Sequence, residues 1–122
     1  MEDQLVLDKK FQKELNAGIT SLMLLHILQQ ADEAMYGYQI SKYFEMEDQP
    51  TPFVKQGVLY PVLRSLEKGT LVESRVEPSV SGPPRRYYTI TPTGEETLIR
   101  WVELWKNTVN YVENVLEGEN ND

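Results

Sequence analysis

Gln56, Tyr60, Arg64 and Lys68 recur at four-residue intervals, Lys55 stands beside the first of them, and Arg85-Arg86 follows Gly82-Pro-Pro84. In a helix that spacing gathers the four side chains on one side. Gln56 and Arg64 carry donors suited to base edges or phosphate, and Tyr60 can stack its ring against sugar or donate its hydroxyl to phosphate. Lys55, Lys68, Arg85 and Arg86 are suited to positioning, as cations that follow a phosphate backbone. The chemistry these residues offer is recognition of a nucleic acid, not the making or breaking of bonds.

The rest of the inventory agrees. Zero cysteines in 122 residues exclude disulfides, thiol catalysis and thiolate metal sites, and a single histidine, His26, leaves no His-cluster ligand set. No paired nucleophile and base and no phosphate-cradling glycine loop is present, so neither enzymatic activity nor a cofactor is expected. His26 lies within an apolar run and reads as a packing residue. No apolar stretch reaches the roughly 18 to 20 residues of a membrane span, and the start Met1-Glu-Asp-Gln4 does not resemble a signal peptide, which predicts a cytoplasmic protein.

Net charge is -7, which opposes general attraction to phosphate. Its distribution is uneven. Residues 36–94 hold seven Lys/Arg against six Asp/Glu, whereas residues 1–35 hold three against six and residues 95–122 two against seven. A weakly basic middle can face DNA while acidic ends point away.

Those residues need elements to position them. A buried helix is predicted from Phe11 to about Gln30, and a second from about Tyr36 to Glu45, with Tyr36, Ile40, Tyr43 and Phe44 on its core face and Gly37 allowing a close helix approach. Two prolines in Glu47-Asp-Gln-Pro-Thr-Pro52 make a turn. A third helix, from about Lys55 to Lys68, would turn Val58, Leu59, Val62, Leu63 and Leu66 inward, with Pro61 loosening its first turns and Gly69 ending it. Strands over Thr70 to Glu77 and Arg86 to Thr91 flank a stiff turn, Pro78 to Pro84, with Arg85-Arg86 just past its tip. This is the order of a recognition helix followed by a β-wing.

A last helix starts either with Thr93 and Glu96 as a capping box or with Thr91 as N-cap and Pro92 as first helical residue, and runs to about Leu116. Leu98, Val102, Trp105, Val109, Val112 and Leu116 are spaced 4, 3, 4, 3, 4, a heptad seam. With Trp101, Leu104, Tyr111 and Val115 alongside, the apolar face is too wide for one small domain and predicts a second subunit. Trp101 and Trp105 could also stack with a flat aromatic guest, although their spacing makes them core residues first. The polar tail after Leu116 is expected to fray.

Three segments carry a family resemblance: Tyr36-Gly-Tyr-Gln-Ile40, Gly57-Val-Leu-Tyr-Pro-Val-Leu-Arg-Ser-Leu-Glu67 and Gly82-Pro-Pro-Arg-Arg-Tyr-Tyr-Thr-Ile-Thr-Pro-Thr-Gly94. In this order, over about Gly18 to Trp105, they resemble the PadR-like winged-helix transcriptional regulators, in particular the short class with one C-terminal dimerisation helix. The resemblance implies a homodimeric repressor whose third helix enters the major groove of double-stranded operator DNA and whose wings touch flanking phosphate or minor groove. It also implies, as in some relatives, a small aromatic effector near the dimer interface. Two departures stand out: Val58, where the family usually has threonine or serine, and Gly69-Thr70-Leu71, which lacks the extra residue of the usual Glu-Gly-Leu ending.

The expected fold is mainly α with a small β-hairpin wing (α+β): a winged helix-turn-helix plus a long C-terminal dimerisation helix. Residues 1–92 would form the N-terminal helix and DNA-binding domain, and residues 93–122 the dimerisation helix and tail. A winged helix can instead serve as a protein-interaction module without strong DNA binding, and the overall acidity keeps that alternative open.

Overall fold

The computed structural model describes residues 2–45 and 53–118, so the turn expected over residues 47–52 and the tail from residue 119 onward lie outside the described residues. The order is α1 (Glu2–Gln30), β1 (Met35–Tyr36), α2 (Gly37–Lys42), α3 (Gln56–Lys68), β2 (Val72–Ser79), β3 (Gly82–Ile90) and α4 (Pro92–Gly118). The mainly helical winged fold with its long last helix is the one expected.

The apolar positions of α1, α2 and α3 meet in one core. Leu24, Leu25 and Leu28 of α1 pack with Ile40, with Phe44 just after α2, and with Leu59, Leu63 and Leu66 of α3, and the sheet adds Met35, Val72 and Tyr88. Each fully buried aliphatic or Phe side chain contributes about 1.5–3 kcal/mol relative to exposure, so this cluster fixes the attitude of α3. The close approach expected at Gly37 is real: a Cβ there would lie 2.7 Å from two carbons of the Tyr60 ring. Tyr36 N–H donates to Gln39 Oε1 at 3.1 Å, closing the first turn of α2.

Several expectations need correction. Helix α1 begins at Glu2 rather than Phe11, because the segment before Phe11 has no core-facing period yet still forms helix, leaving Leu5, Val6, Leu7 and Phe11 exposed. His26 is exposed, since the apolar run around it buries Leu24, Leu25, Ile27 and Leu28 and leaves one narrow solvent side. Helix α2 stops at Lys42, and Tyr43 turns outward while Phe44 stays buried. Val58 is outside the core, on the rim of the apolar arc of α3.

The sheet has order β1-β3-β2, with β3 central. Strand β1 is an addition to the expected hairpin, pairing Met35 with Tyr88 and Tyr36 with Tyr87. The wing is longer than predicted: the turn shrinks to Val80-Ser81, and pairing runs from Val72↔Ile90 to Ser79↔Gly82, with an irregularity between Glu77 and Ser79. Pro78 sits in that irregularity and Pro83-Pro84 opposite it, where missing N–H donors interrupt the ladder least. Arg85 and Arg86 therefore lie within a strand, not just past a tip.

Helix α3 ends in a paired-bond C-cap: Thr70 N–H donates to Glu67 O at 2.9 Å and Leu71 N–H to Leu66 O at 3.0 Å. The left-handed residue of this motif is Thr70, at φ 63°, while Gly69 keeps a negative φ. Thr91 holds the other side of the junction. Its hydroxyl accepts from Gly94 N–H at 3.0 Å and donates to Thr70 O at 2.7 Å, so of the two expected starts of α4 the Thr91 cap with Pro92 as first residue is the observed one. A Cβ on Gly94 would strike the Leu71 carbonyl and lie 2.7 Å from Ile90 Cγ1, so α4 can leave the sheet this closely only from a glycine.

Candidate nucleic-acid interface

Helix α3 displays its sequence-predicted contacts along one exposed side. Lys55 is its N-cap and Gln56 its first residue; Tyr60, Arg64 and Lys68 follow, and all five are exposed. Among the described residues no side chain caps the helix start, and no acid lies in its first turn. The free N–H groups and positive dipole end of a helix start, here beside Lys55, are an arrangement that favours phosphate.

Tyr60 serves two purposes. Its ring and hydroxyl end lie over Gly37 at the start of α2, which limits its freedom to stack elsewhere, while the residue as a whole stays 38% exposed.

The two wing arginines go to opposite faces of the sheet, as neighbours in a strand must. On the face toward α3, Arg86 Nη1 donates to Ser74 Oγ at 3.0 Å, and Ser74 Oγ donates to Glu67 Oε2 at 2.7 Å. This chain of bonds ties the wing to the last turn of α3. On the other face the Arg85 guanidinium lies 4.4 Å from the Tyr36 ring centroid, and Tyr36 meets Tyr87 edge to face at 5.5 Å. Both arginines are therefore held by neighbours while remaining exposed.

The sequence reading missed Ser74 and Glu67 as supports of Arg86. A signal existed: in a hairpin with a two-residue turn Arg86 stands opposite Val76, and Ser74 is the next residue on the same face. Beneath them Tyr88 is buried at 3% exposure. Burial pushes its phenol above the ordinary tyrosine value, Glu67 and Tyr60 push the same way, and Arg86 and Arg64 oppose.

The residues expected to dimerise divide. Leu98 is 3% exposed within the chain's own core, which removes it from any open seam; Val102 and Val109 are half-buried; Trp105, Val112 and Leu116 are exposed. Leu98 turns inward because it lies one turn past the close contact of Gly94 with Leu71 and Ile90, where α4 still packs on the rest of the chain. Exposed Leu104, Tyr111 and Val115 widen the outer strip. Between α1 and α4 runs an open apolar groove of about 460 Å³, lined by Leu15, Gly18, Ile19 and Leu22 on one side and Trp101, Leu104, Trp105 and Thr108 on the other. Trp101 is half-buried in its wall and Trp105 is 42% exposed at it.

Among the described residues no helix is long and apolar enough to cross a membrane, and no group of three His, Cys, Asp or Glu side chains could hold a metal ion.

Comparison with known proteins gives a consistent result. The profile of the transcriptional regulator PadR-like family matches residues 24–100. A PadR-like transcriptional regulator from Bacillus cereus strain ATCC 14579 is 32% identical, covering 85% of this chain and 97% of its own, with a TM-score of 0.66. A PadR family transcriptional regulator from Eggerthella lenta DSM 2243 is 29% identical over 95% of this chain and 96% of its own, with a TM-score of 0.69. A transcriptional regulator from Clostridium thermocellum reaches a TM-score of 0.70 at 26% identity, over 83% of this chain and 93% of its own. No curated protein matches the sequence. With the family profile spanning more than half of its length and full-length relatives sharing its winged-helix architecture, the chain belongs to the PadR-like family of transcriptional regulators.

Proposed function

We propose that this regulator is a homodimeric repressor that binds a two-fold symmetric operator, with α3 in the major groove and the wing along flanking phosphate or minor groove. The observation that carries this reading is the row of exposed Lys55, Gln56, Arg64 and Lys68 on α3 with Arg86 of the wing on the sheet face toward it and Arg85 exposed on the wing's other face, in a chain whose net charge is -7. Acidic ends and a basic middle orient such a protein on DNA and weaken indiscriminate binding. Two copies related by a two-fold axis would present their recognition helices about 34 to 36 Å apart, one turn of the duplex.

The partner copy would cover the apolar strip of α4, from Val102 and Trp105 through Val109, Val112 and Leu116, together with the exposed Leu5, Val6, Leu7 and Phe11 of α1. The groove between α1 and α4 is a fitting receptor for a planar aromatic effector, with Trp101 and Trp105 as stacking partners. Binding there would alter the packing of α4 and hence the spacing of the two recognition helices, which relieves repression. Quenching of tryptophan fluorescence by planar phenolics or cationic dyes tests this part; no response across a broad panel retires it.

The regulator reading itself is tested by fluorescence anisotropy of the purified protein on DNA from upstream of its own gene, over a salt series, against scrambled DNA. Tight binding that weakens with salt and prefers the native sequence is the expected result. Arg64→Ala should then weaken binding by roughly 1–3 kcal/mol if Arg64 reads a base, and unchanged affinity removes it from the interface. Equally weak binding to both DNAs, repeated on a random duplex library, would favour a protein-interaction module instead.

A further inference from the structure

On α3 the exposed positions Gly57, Pro61, Arg64 and Lys68 follow the spacing i, i+4, i+7, i+11, and so form the middle of the outward side. The C-terminal half of this stripe is cationic and the N-terminal half is bare. Among the described residues a Cβ on Gly57 would meet nothing within 4 Å, and Pro61 has neither a backbone N–H nor a polar side chain. Val58 adjoins both, 42% exposed, with no place in the chain's own core. Tyr60, the aromatic residue nearest this patch, lies against Gly37. The first two turns of α3 thus present an apolar front, Gly57, Val58 and Pro61, flanked by exposed Lys55, Gln56 and Tyr60 and followed by the cations Arg64 and Lys68.

We infer that Gly57, Val58 and Pro61 form an apolar reading surface for thymine C5-methyl groups, with Val58 as the specificity-determining side chain. The inference rests on the DNA-binding reading above. The neighbouring cations draw the phosphate backbone and bring the apolar front against base edges. Of the four bases only thymine offers an apolar group in the major groove; adenine, guanine and cytosine offer donors or acceptors that an apolar surface would strip of water and leave unpaired. The absent side chain at Gly57 lets the helix approach closely enough for the Val58 methyls to touch the thymine methyl. Arg64, two turns along, remains suited to guanine, so each half-site would combine thymine opposite the start of α3 with a guanine-compatible position further on.

The test begins with selection of binding sites from a random duplex library by the full chain. Each thymine of the enriched half-site is then replaced singly by deoxyuridine, which removes the methyl and nothing else, and binding is measured for wild type and Val58→Ala. One or two thymines per half-site should bind about three- to fivefold more weakly as uridine to wild type, the value of one buried methyl. The same replacements should cost Val58→Ala nothing, and the variant should keep the wild-type salt dependence because its cations are intact. Uridine sites that bind wild type as tightly as thymine sites, or that lose equally with the variant, overturn the inference while leaving the regulator reading in place. A library that yields no enriched sequence sinks the regulator reading, and the inference with it.

Discussion

At the scale of single residues, Tyr88 joins core and interface. Its ring packs in the core, while the charges of Arg86, Glu67, Tyr60 and Arg64 act on its ionisation. Burial is the largest of these influences and raises the phenol pKa. The folded chain therefore holds this proton at a pH where the unfolded chain, ionising near 10, has lost it. The associated stability is fully present below about pH 10 and is lost as pH rises through the raised folded value. Urea melts between about pH 8.5 and 11 should show stability falling along this arm, with Tyr88→Phe flattening it. An identical slope in the variant would assign the loss to the other tyrosines and the lysines. The sequence legibly marked Arg86 as a cation near the wing; that Ser74 and Glu67 hold it depends on strand register and on how α3 lies across the sheet.

Among elements, the junction of α3, β2 and α4 is the most constrained. Thr70 adopts φ 63° although it is β-branched, a conformation costing of order 1–2 kcal/mol in L-residues other than glycine. It is held there by the C-cap bonds and by Thr91, whose hydroxyl bonds Thr70 O. Because these bonds use the backbone of residue 70, glycine would keep them without the steric cost. Thr70→Gly should raise stability by about 0.5–1 kcal/mol, the strain relieved being partly offset by the freer unfolded chain. Gly94→Ala should act in the opposite sense and cost about 1–3 kcal/mol, since its Cβ would meet the Leu71 backbone. Urea midpoints of the two variants, with unchanged slopes, measure both effects; a destabilised Thr70→Gly would mean that its side-chain bond to Gly69 O outweighs the strain.

At the scale of the whole molecule, the first turns of α4 belong to the chain's core through Gly94, Thr97 and Leu98, whereas its later turns expose Trp105, Val112, Val115 and Leu116. An apolar strip of this length, together with the exposed start of α1, is the surface that the proposed second copy would cover. Val112→Glu with Leu116→Glu should leave the helical circular dichroism intact, because neither side chain is in the core, and should shift the sedimenting species from dimer to monomer. Operator affinity should then fall by about 10²–10⁴, as the second half-site is no longer engaged by a tethered copy. Wild type sedimenting as a monomer at micromolar concentration would remove the dimer from the account.

The longer elements of this protein were largely written in its sequence, because they have strong local signals: the apolar period of α3, the apolar period of α4, and proline and glycine around the wing turn; which of two threonine caps starts α4 was settled by the Thr91 hydroxyl bonds. The exposed cations of the candidate interface were legible for the same reason, since Lys and Arg side chains seldom bury without a partner. What only the tertiary structure decided lies at the edges of those patterns. Val58 and Leu98 both fall on the rim of an apolar arc, and periodicity cannot say on which side a neighbour will close; Val58 is left outside the core, whereas Leu98 is enclosed in it. His26 faces solvent through the gap its apolar neighbours leave, and β1, two residues long, has no pattern of its own and exists only because β3 offers it a pairing edge. Periodicity determines the angles between side chains on one helix; only packing determines which of those angles points at water and which at another part of the chain.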